Sequence, residues 1–381
     1  MTAPNASLDV DALLRDARII VCCGAGGVGK TTSAAALAVR AAEQGRSVCV
    51  LTIDPARRLA QSMGLTELDN TPREVVGIDT SSGGRLDAMM LDMKRTFDDI
   101  VLAHSDESRA KAILANPFYV SLSSSFAGTQ EYMAMEKLGQ LKATGNWDLI
   151  VVDTPPSRSA LDFLDAPQRL GRFLDGRMIR LLTAPARAGG RAYLKVFTVG
   201  VKMFTDVLNR MLGAQALKDL SLFVSSLETM FGGFRERADQ TYKLLKERGT
   251  SFVVVAVPER DALREAAYFV ERLETEQMPL AGLVLNRMHL SDAPNLSVER
   301  SVAAAETLET AGGEEFAAAA LRVHADRLTA AMRDARRASQ FHAAHPRVRI
   351  AQVAAQASDV HDLDGLRAIG AELAGGSENA A

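Results

Sequence analysis

The rhythm of the chain constrains its fold more than any other feature: short runs rich in Val, Ile and Leu alternate with longer stretches of helical character. Arg18 to Cys23, Ser47 to Ile53, Leu86 to Leu91, Asp148 to Val152, Phe252 to Val257 and Leu280 to Leu285 read as strands, with a last strand expected near Val348 to Val353. Two of the runs, Leu149-Ile150-Val151-Val152 and Phe252-Val253-Val254-Val255, are apolar at every position. A strand with one wet face alternates, whereas a strand covered on both faces by crossover helices need not. The pattern predicts an α/β fold of three layers, with a doubly wound, mainly parallel sheet. An Ala-rich stretch from about Ser297 to Phe341 reads as helix.

Two regions break the rhythm, residues 94–144 and 161–248, and both read as wholly helical. They carry Met and Phe in quantity, including Met133, Met135, Met203, Met211, Phe197 and Phe204. We assign them to one helical subdomain inserted at the ligand-binding edge of the sheet. The expected organisation is a core of residues 1–93, 145–160 and 249–373, the two helical segments 94–144 and 161–248, and a disordered tail at 374–381. At 381 residues the chain exceeds the usual size of a single domain, as an insertion of this kind implies. No internal repeat is present.

Directly after the first strand comes Gly24-Ala25-Gly26-Gly27-Val28-Gly29-Lys30-Thr31-Thr32, which satisfies G-x-x-x-x-G-K-[ST] and opens an Ala-rich helix. Glycines let the backbone wrap a chain of phosphates, so that several N–H groups and the positive end of the helix face the anion. Residues 24–32 are therefore the expected nucleotide cradle of a P-loop nucleoside triphosphatase. Lys30 is expected to reach the β- and γ-phosphates and Thr31 to ligate Mg²⁺.

Two acids follow other strands, in Thr52-Ile53-Asp54-Pro55 and in Asp153-Thr154-Pro155-Pro156-Ser157. In a doubly wound sheet ligands bind at the carboxyl edge, so Asp54 and Asp153 should converge on the bound nucleotide. Asp153, behind four apolar residues, has the setting of a Walker-B acid that holds Mg²⁺ through water. Asp54 is placed to orient or deprotonate the attacking water. Its plainer use is to cap a helix beginning at Pro55.

These residues resemble a known family. Asp54-Pro55-Ala56 is similar to switch I of the arsenite-pump and Get3 ATPases, and Asp153 to Pro167 to their switch II. Gly128-Thr129-Gln130-Glu131 stands where that family has G-I-D-E, and Leu283-Val284-Leu285-Asn286 is similar to the strand whose terminal Asn contacts adenine. The resemblance implies that Asp54 is the catalytic acid and Mg²⁺-site residue, that Thr154 begins a mobile switch, and that Asn286 reads the base. A helix N-cap is the alternative use of Asn286. No N-K-x-D motif follows it, since the next residues are Arg287-Met288-His289, which favours ATP over GTP.

One departure stands out. The family's P-loop carries an early lysine that reaches across a dimer interface to the partner's nucleotide, and here that position is Ala25. A homodimer of this chain should then turn over slowly unless another cation substitutes, Arg57, Arg58 and Arg158 being the candidates. A heterodimer with a paralogous ATPase that retains the lysine would complete the site in trans. An ordinary P-loop that needs no such lysine is the third reading.

The helical segment Val196 to Leu212 shows a broad apolar stripe through Phe197, Val201, Phe204, Leu208 and Met211. By resemblance it would help form a groove for a hydrophobic client or membrane protein; a subdomain core or dimer interface is the plainer use. Net charge of −3 implies no bulk attraction to nucleic acid, and no run approaches the roughly 18 apolar residues of a membrane span. With no secretory leader read at the N-terminus, the expected compartment is the cytoplasm. Cys22, Cys23 and Cys49 read as reduced core residues, and the six histidines form no ligand cluster, which ranks metalloid transport low.

Overall fold

Residues with bulk on both faces of a strand demand cover on both faces, and the computed structural model provides it. It describes residues 7–53, 58–65, 68–117, 119–120, 123, 129–155, 236–237, 239–291, 293, 295–312 and 314–375. The strands are β1 (Ile19–Cys23), β2 (Ser47–Thr52), β3 (Arg73–Glu74), β4 (Arg85–Met90), β5 (Leu149–Asp153), β6 (Thr250–Ala256), β7 (Leu280–Met288) and β8 (Ile350–Ala354). The helices are α1 (Val10–Asp16), α2 (Lys30–Glu43), α3 (Arg58–Ser62), α4 (Met93–His104), α5 (Glu107–Leu114), α6 (Thr129–Thr144), α7 (Arg260–Thr275), α8 (Val298–Ala311), α9 (Glu315–Ala344) and α10 (Leu363–Gly375).

The chain divides into two compact units. One comprises Met1–Met90, Thr144–Leu161 and Leu245–Ala381, and the other Leu91–Ala143 and Asp162–Leu244. The first holds a sheet of eight strands in the order β3-β4-β2-β5-β1-β6-β7-β8. Every neighbouring pair is parallel except β3–β4. From β1 the chain moves to one side for β2 and β4, returns to lay β5 between β1 and β2, and only then passes to the other side for β6 to β8. That reversal beside β1 opens a crevice at the carboxyl edge.

On one face, Ile20, Cys22, Val48, Val50, Leu149 and Val151 pack in one cluster with Ala34, Ala38, Leu366 and Ile369 of α2 and α10. Alanine suits α2 twice over, as the best helix former and as a side chain small enough for close approach to the sheet. The alternate residues Ile19, Val21, Leu51, Ile150, Val152 and Val254 are buried as well. At β6 and β7 a further layer is supplied by α7, which lies on both strands, and by α9 on β7. Burying each such side chain contributes roughly 1.5–3 kcal/mol.

Three details differ from the sequence reading. The two-residue antiparallel strand β3 was not expected; both of its residues are exposed, so it carries no hydrophobic signal. The stretch from Ser297 to Phe341 is two helices, because α8 stops at Gly312 with φ +73. Asn286 lies inside β7, which continues to Met288, and so caps no helix.

In the second unit, Asp92 and Asp106 cap α4 and α5 by accepting from the Arg95 and Arg109 amides, each at 2.9 Å. The Tyr119 hydroxyl donates to Asp98 Oδ1 at 2.7 Å, and its ring meets Phe97 edge to face at 6.2 Å. Arg237 Nε donates to both carboxylate oxygens of Glu136 at 3.0 Å. Met133 and Met135 are buried in α6. The apolar stripe from Val196 to Leu212 and the tail beyond residue 375 lie outside the described residues. No helix among the described residues is long and apolar enough to cross a membrane.

Candidate functional site

Gly24 leaves β1 with φ +148, and a Cβ there would sit 2.1 Å from the carbonyl oxygen of Val255 in β6. Only a residue without a side chain can pass so close to the neighbouring strand. The turn then runs over Gly26 and Gly27, both exposed, and enters α2 at Gly29, whose φ of +93 makes it a left-handed N-cap with no side-chain cap bond. Ser33 N–H donates to Gly29 O at 2.9 Å, the first bond of the helical ladder. Helix geometry therefore leaves the N–H groups of Lys30, Thr31 and Thr32 aimed out of the helix end, as an anion requires. A Cβ at Gly27 would meet no atom within 4 Å.

Lys30 is buried, and its ammonium donates to the Ala25 carbonyl at 2.7 Å, across the mouth of the turn. Thr31 Oγ1 donates to Asp153 Oδ2 at 2.8 Å, and Thr52 Oγ1 donates to the same oxygen at 2.9 Å. Asp153 is fully buried, and the sheet register places it between Cys22 of β1 and Thr52 of β2. A buried carboxylate is costly unless hydrogen-bonded, and hydroxyls from two elements supply that here. Thr154 Oγ1 donates to Cys22 O at 2.8 Å and fastens the residue after Asp153 to the end of β1.

Burial and the nearby Asp153 carboxylate push the Cys22 thiol well above its ordinary range, and burial pushes Cys23 up to about 12. Both are free thiols held protonated, as is usual for core cysteines and unlike nucleophiles. Cys49 is also free and buried.

The structure thus brings together residues 24–31, Asp153 and Thr154. It also adds Asn286 in a manner the sequence did not show: Nδ2 donates to Val28 O at 2.9 Å, and Oδ1 accepts from the Arg287 amide at 2.9 Å. Asn286 is buried beside Gly29, where a Cβ would lie 2.2 Å from Nδ2. Thr52 was not singled out from sequence, although a hydroxyl two residues before Asp54 at a strand end is a readable signal. Asp54, Arg57, Arg158 and Gly128 lie outside the described residues, as do the side chains of Arg58 and Glu131. Among the described residues, no group of three or more His, Cys, Asp or Glu side chains is placed to hold a metal ion. The Thr31 hydroxyl and Asp153 carboxylate form a different kind of donor set. Hard oxygens with room for phosphate and water suit Mg²⁺.

Comparison with known proteins bears on the family. Residues 17–307 match the model of a family described as anion-transporting ATPase. A protein named ATPase GET3 from Podospora anserina is 28% identical over 280 residues, covering 72% of this chain and 74% of that protein. ATPase GET3 of Ajellomyces dermatitidis is 26% identical over 70% of this chain and 71% of its own length. ATPase GET3 of Malassezia globosa is 26% identical over 71% and 72%.

Proposed function

This chain belongs to the anion-transporting ATPase family, and from that premise we propose that it is a Mg²⁺-dependent ATPase whose turnover drives conformational change in a dimer. The observation that carries the reading is the shared oxygen of Asp153, which takes hydroxyl bonds from Thr31 on α2 and Thr52 on β2 beneath the glycine turn. One carboxylate thereby links the phosphate loop to the strand that leads into Asp54.

With Mg·ATP bound, backbone N–H groups of residues 26–32 would hold the phosphate oxygens. Lys30 would leave the Ala25 carbonyl for the β- and γ-phosphates. Thr31 would ligate the metal directly and Asp153 through water. The metal supplies neutralisation of charge on the β- and γ-oxygens. Asp54 would orient or deprotonate the attacking water. Asn286 would face the base.

Ala25, at the position of the family's early lysine, favours a heterodimer with a lysine-bearing paralogue over a fully active homodimer. The client is a hydrophobic segment or a membrane-protein partner, and the compartment the cytoplasm. An ATP-holding regulatory subunit of the same complex is the second reading, favoured by the same alanine. Calorimetric titration with Mg·ATP, joined to phosphate release by the chain alone and with its paralogue, tests these points together. Association heat, slow release alone and faster release in the pair are expected. Absence of heat would sink the nucleotide reading, and full turnover by the isolated chain would sink the heterodimer.

A further inference from the structure

The carboxyl end of β7 carries several unusual features within four residues. Asn286 spans from the Arg287 amide to the Val28 carbonyl of the phosphate turn. Arg287 holds φ +57, the left-handed region, which is unfavourable for a residue with a long side chain. The register of β7 on β8 shifts between Leu285 and Met288. Two residues beyond Arg287, His289 donates its backbone N–H to Asp334 Oδ2 at 3.2 Å, and its Nδ1 lies 2.7 Å from the same oxygen.

Asp334 lies on α9 and its side chain is 1% exposed, whereas the His289 side chain is 44% exposed. Arg333 Nε approaches the other oxygen, Oδ1, at 3.4 Å. A carboxylate buried this deeply is rarely placed where an apolar residue would serve, and this one grips the backbone and ring of the residue that ends a strained strand terminus. Strained conformations persist only where the surroundings over-determine them. The grip supplies that constraint.

We propose that Asp334 and His289 are positioning residues of the phosphate cradle, acting through Asn286. Held at His289, the strand end keeps Arg287 in its left-handed state, and the peptide before it presents its N–H to Asn286 Oδ1. The carboxamide is then fixed with Nδ2 on Val28 O, at the residue before the left-handed N-cap Gly29. Release at His289 lets Arg287 relax, turns that peptide and frees the carboxamide, so Val28 loses its brace and the turn widens. The inference rests on the nucleotide reading above and adds residues from outside its motifs.

The test uses the full chain with two probes, Mg·ATP and Mg·tripolyphosphate, the second lacking a base. His289→Ala is the main variant, because its half-exposed ring can be removed with the fold intact; Asp334→Ala is the companion. His289→Ala is expected to raise Kd for both probes about tenfold, with kcat at saturating ATP held within about twofold, the signature of lost ground-state binding. Asn286→Ala should weaken tripolyphosphate binding likewise, and the double variant His289→Ala/Asn286→Ala should bind tripolyphosphate no more weakly than Asn286→Ala alone. Additive losses in the double variant would overturn the proposal. So would an unchanged Kd in a folded His289→Ala variant, or a loss for Mg·ATP without one for tripolyphosphate. Failure of the wild-type chain to bind either probe would instead defeat the nucleotide reading beneath it.

Discussion

The carboxyl ends of β5 and β7 reach the same edge of one sheet but serve it by opposite means. β5 ends in a charge: Asp153 is fully buried and takes hydroxyl bonds from Thr31 and Thr52. β7 ends in a shape, with Asn286 braced against Val28 and a left-handed Arg287 beside it. The first arrangement can act on the charge of a ligand, and the second acts on the geometry of the loop that holds it. The difference teaches that a phosphate site needs both a poised carboxylate and a loop held in one conformation, supplied here from two sides of β1.

The largest effect should come from removing the charge. Asp153→Asn keeps an oxygen that can accept from both Thr31 and Thr52, so the fold should survive. Loss of the carboxylate should lower Mg²⁺-dependent ATP turnover by about 10²- to 10³-fold, the range for removing one preorganised electrostatic group. Steady-state phosphate release across a magnesium titration reads this directly. Turnover within a few-fold of wild type would break the comparison, because β5 would then be contributing shape as well.

A pair of alanine substitutions sharpens the contrast on the other side. Gly27 and Gly29 both have positive φ, +75 and +93, so each alanine carries a conformational cost of about 1–2 kcal/mol. At Gly27 the new Cβ meets no atom within 4 Å, whereas at Gly29 it lies 2.2 Å from Asn286 Nδ2. Gly29→Ala should therefore be the more destabilising in urea unfolding, by a further ~1 kcal/mol for the displaced hydrogen bond. Gly27→Ala should instead do its damage to nucleotide affinity, because its backbone is part of the turn that would wrap the phosphates and a left-handed φ resists a side chain there. Equal stability losses for the two would show that the Asn286 brace carries no weight.

This contrast also explains what could be read from the sequence. The strands, their parallel character and the glycine turn were visible because continuous apolar runs and a spaced Gly-Lys-Thr signature are local signals. Asp153 was visible for the same reason, as an acid closing an apolar run. The Asn286 brace was not, because its partner Val28 is 258 residues away and a carbonyl acceptor leaves no mark on side-chain identity. Asn286 attracted notice only by resemblance, and its competing use as a helix cap fails because β7 runs on to Met288. The break between α8 and α9 was marked by Gly312-Gly313 and masked by the alanine around it. The strand order, with β5 inserted between β1 and β2, depends on pairings far apart in the chain that no short pattern encodes.

The smallest expected effect concerns the strain itself. An L-residue at φ +57 carries a conformational cost that glycine does not, on the order of 1 kcal/mol. Replacing Arg287 by Gly removes that cost from the folded state and adds backbone freedom to the unfolded state, and the two oppose each other. Where the strain dominates, Arg287→Gly raises stability by about 0.5–1 kcal/mol in chemical unfolding. If the hold of Asp334 on His289 is what keeps residue 287 left-handed, the gain should disappear in an Asp334→Ala background, because a released Arg287 relaxes and leaves no strain for glycine to remove. A gain that persisted without the carboxylate would mean that Arg287 stays left-handed without the latch. The end of β7 would then owe its shape to other contacts and not to the grip on His289.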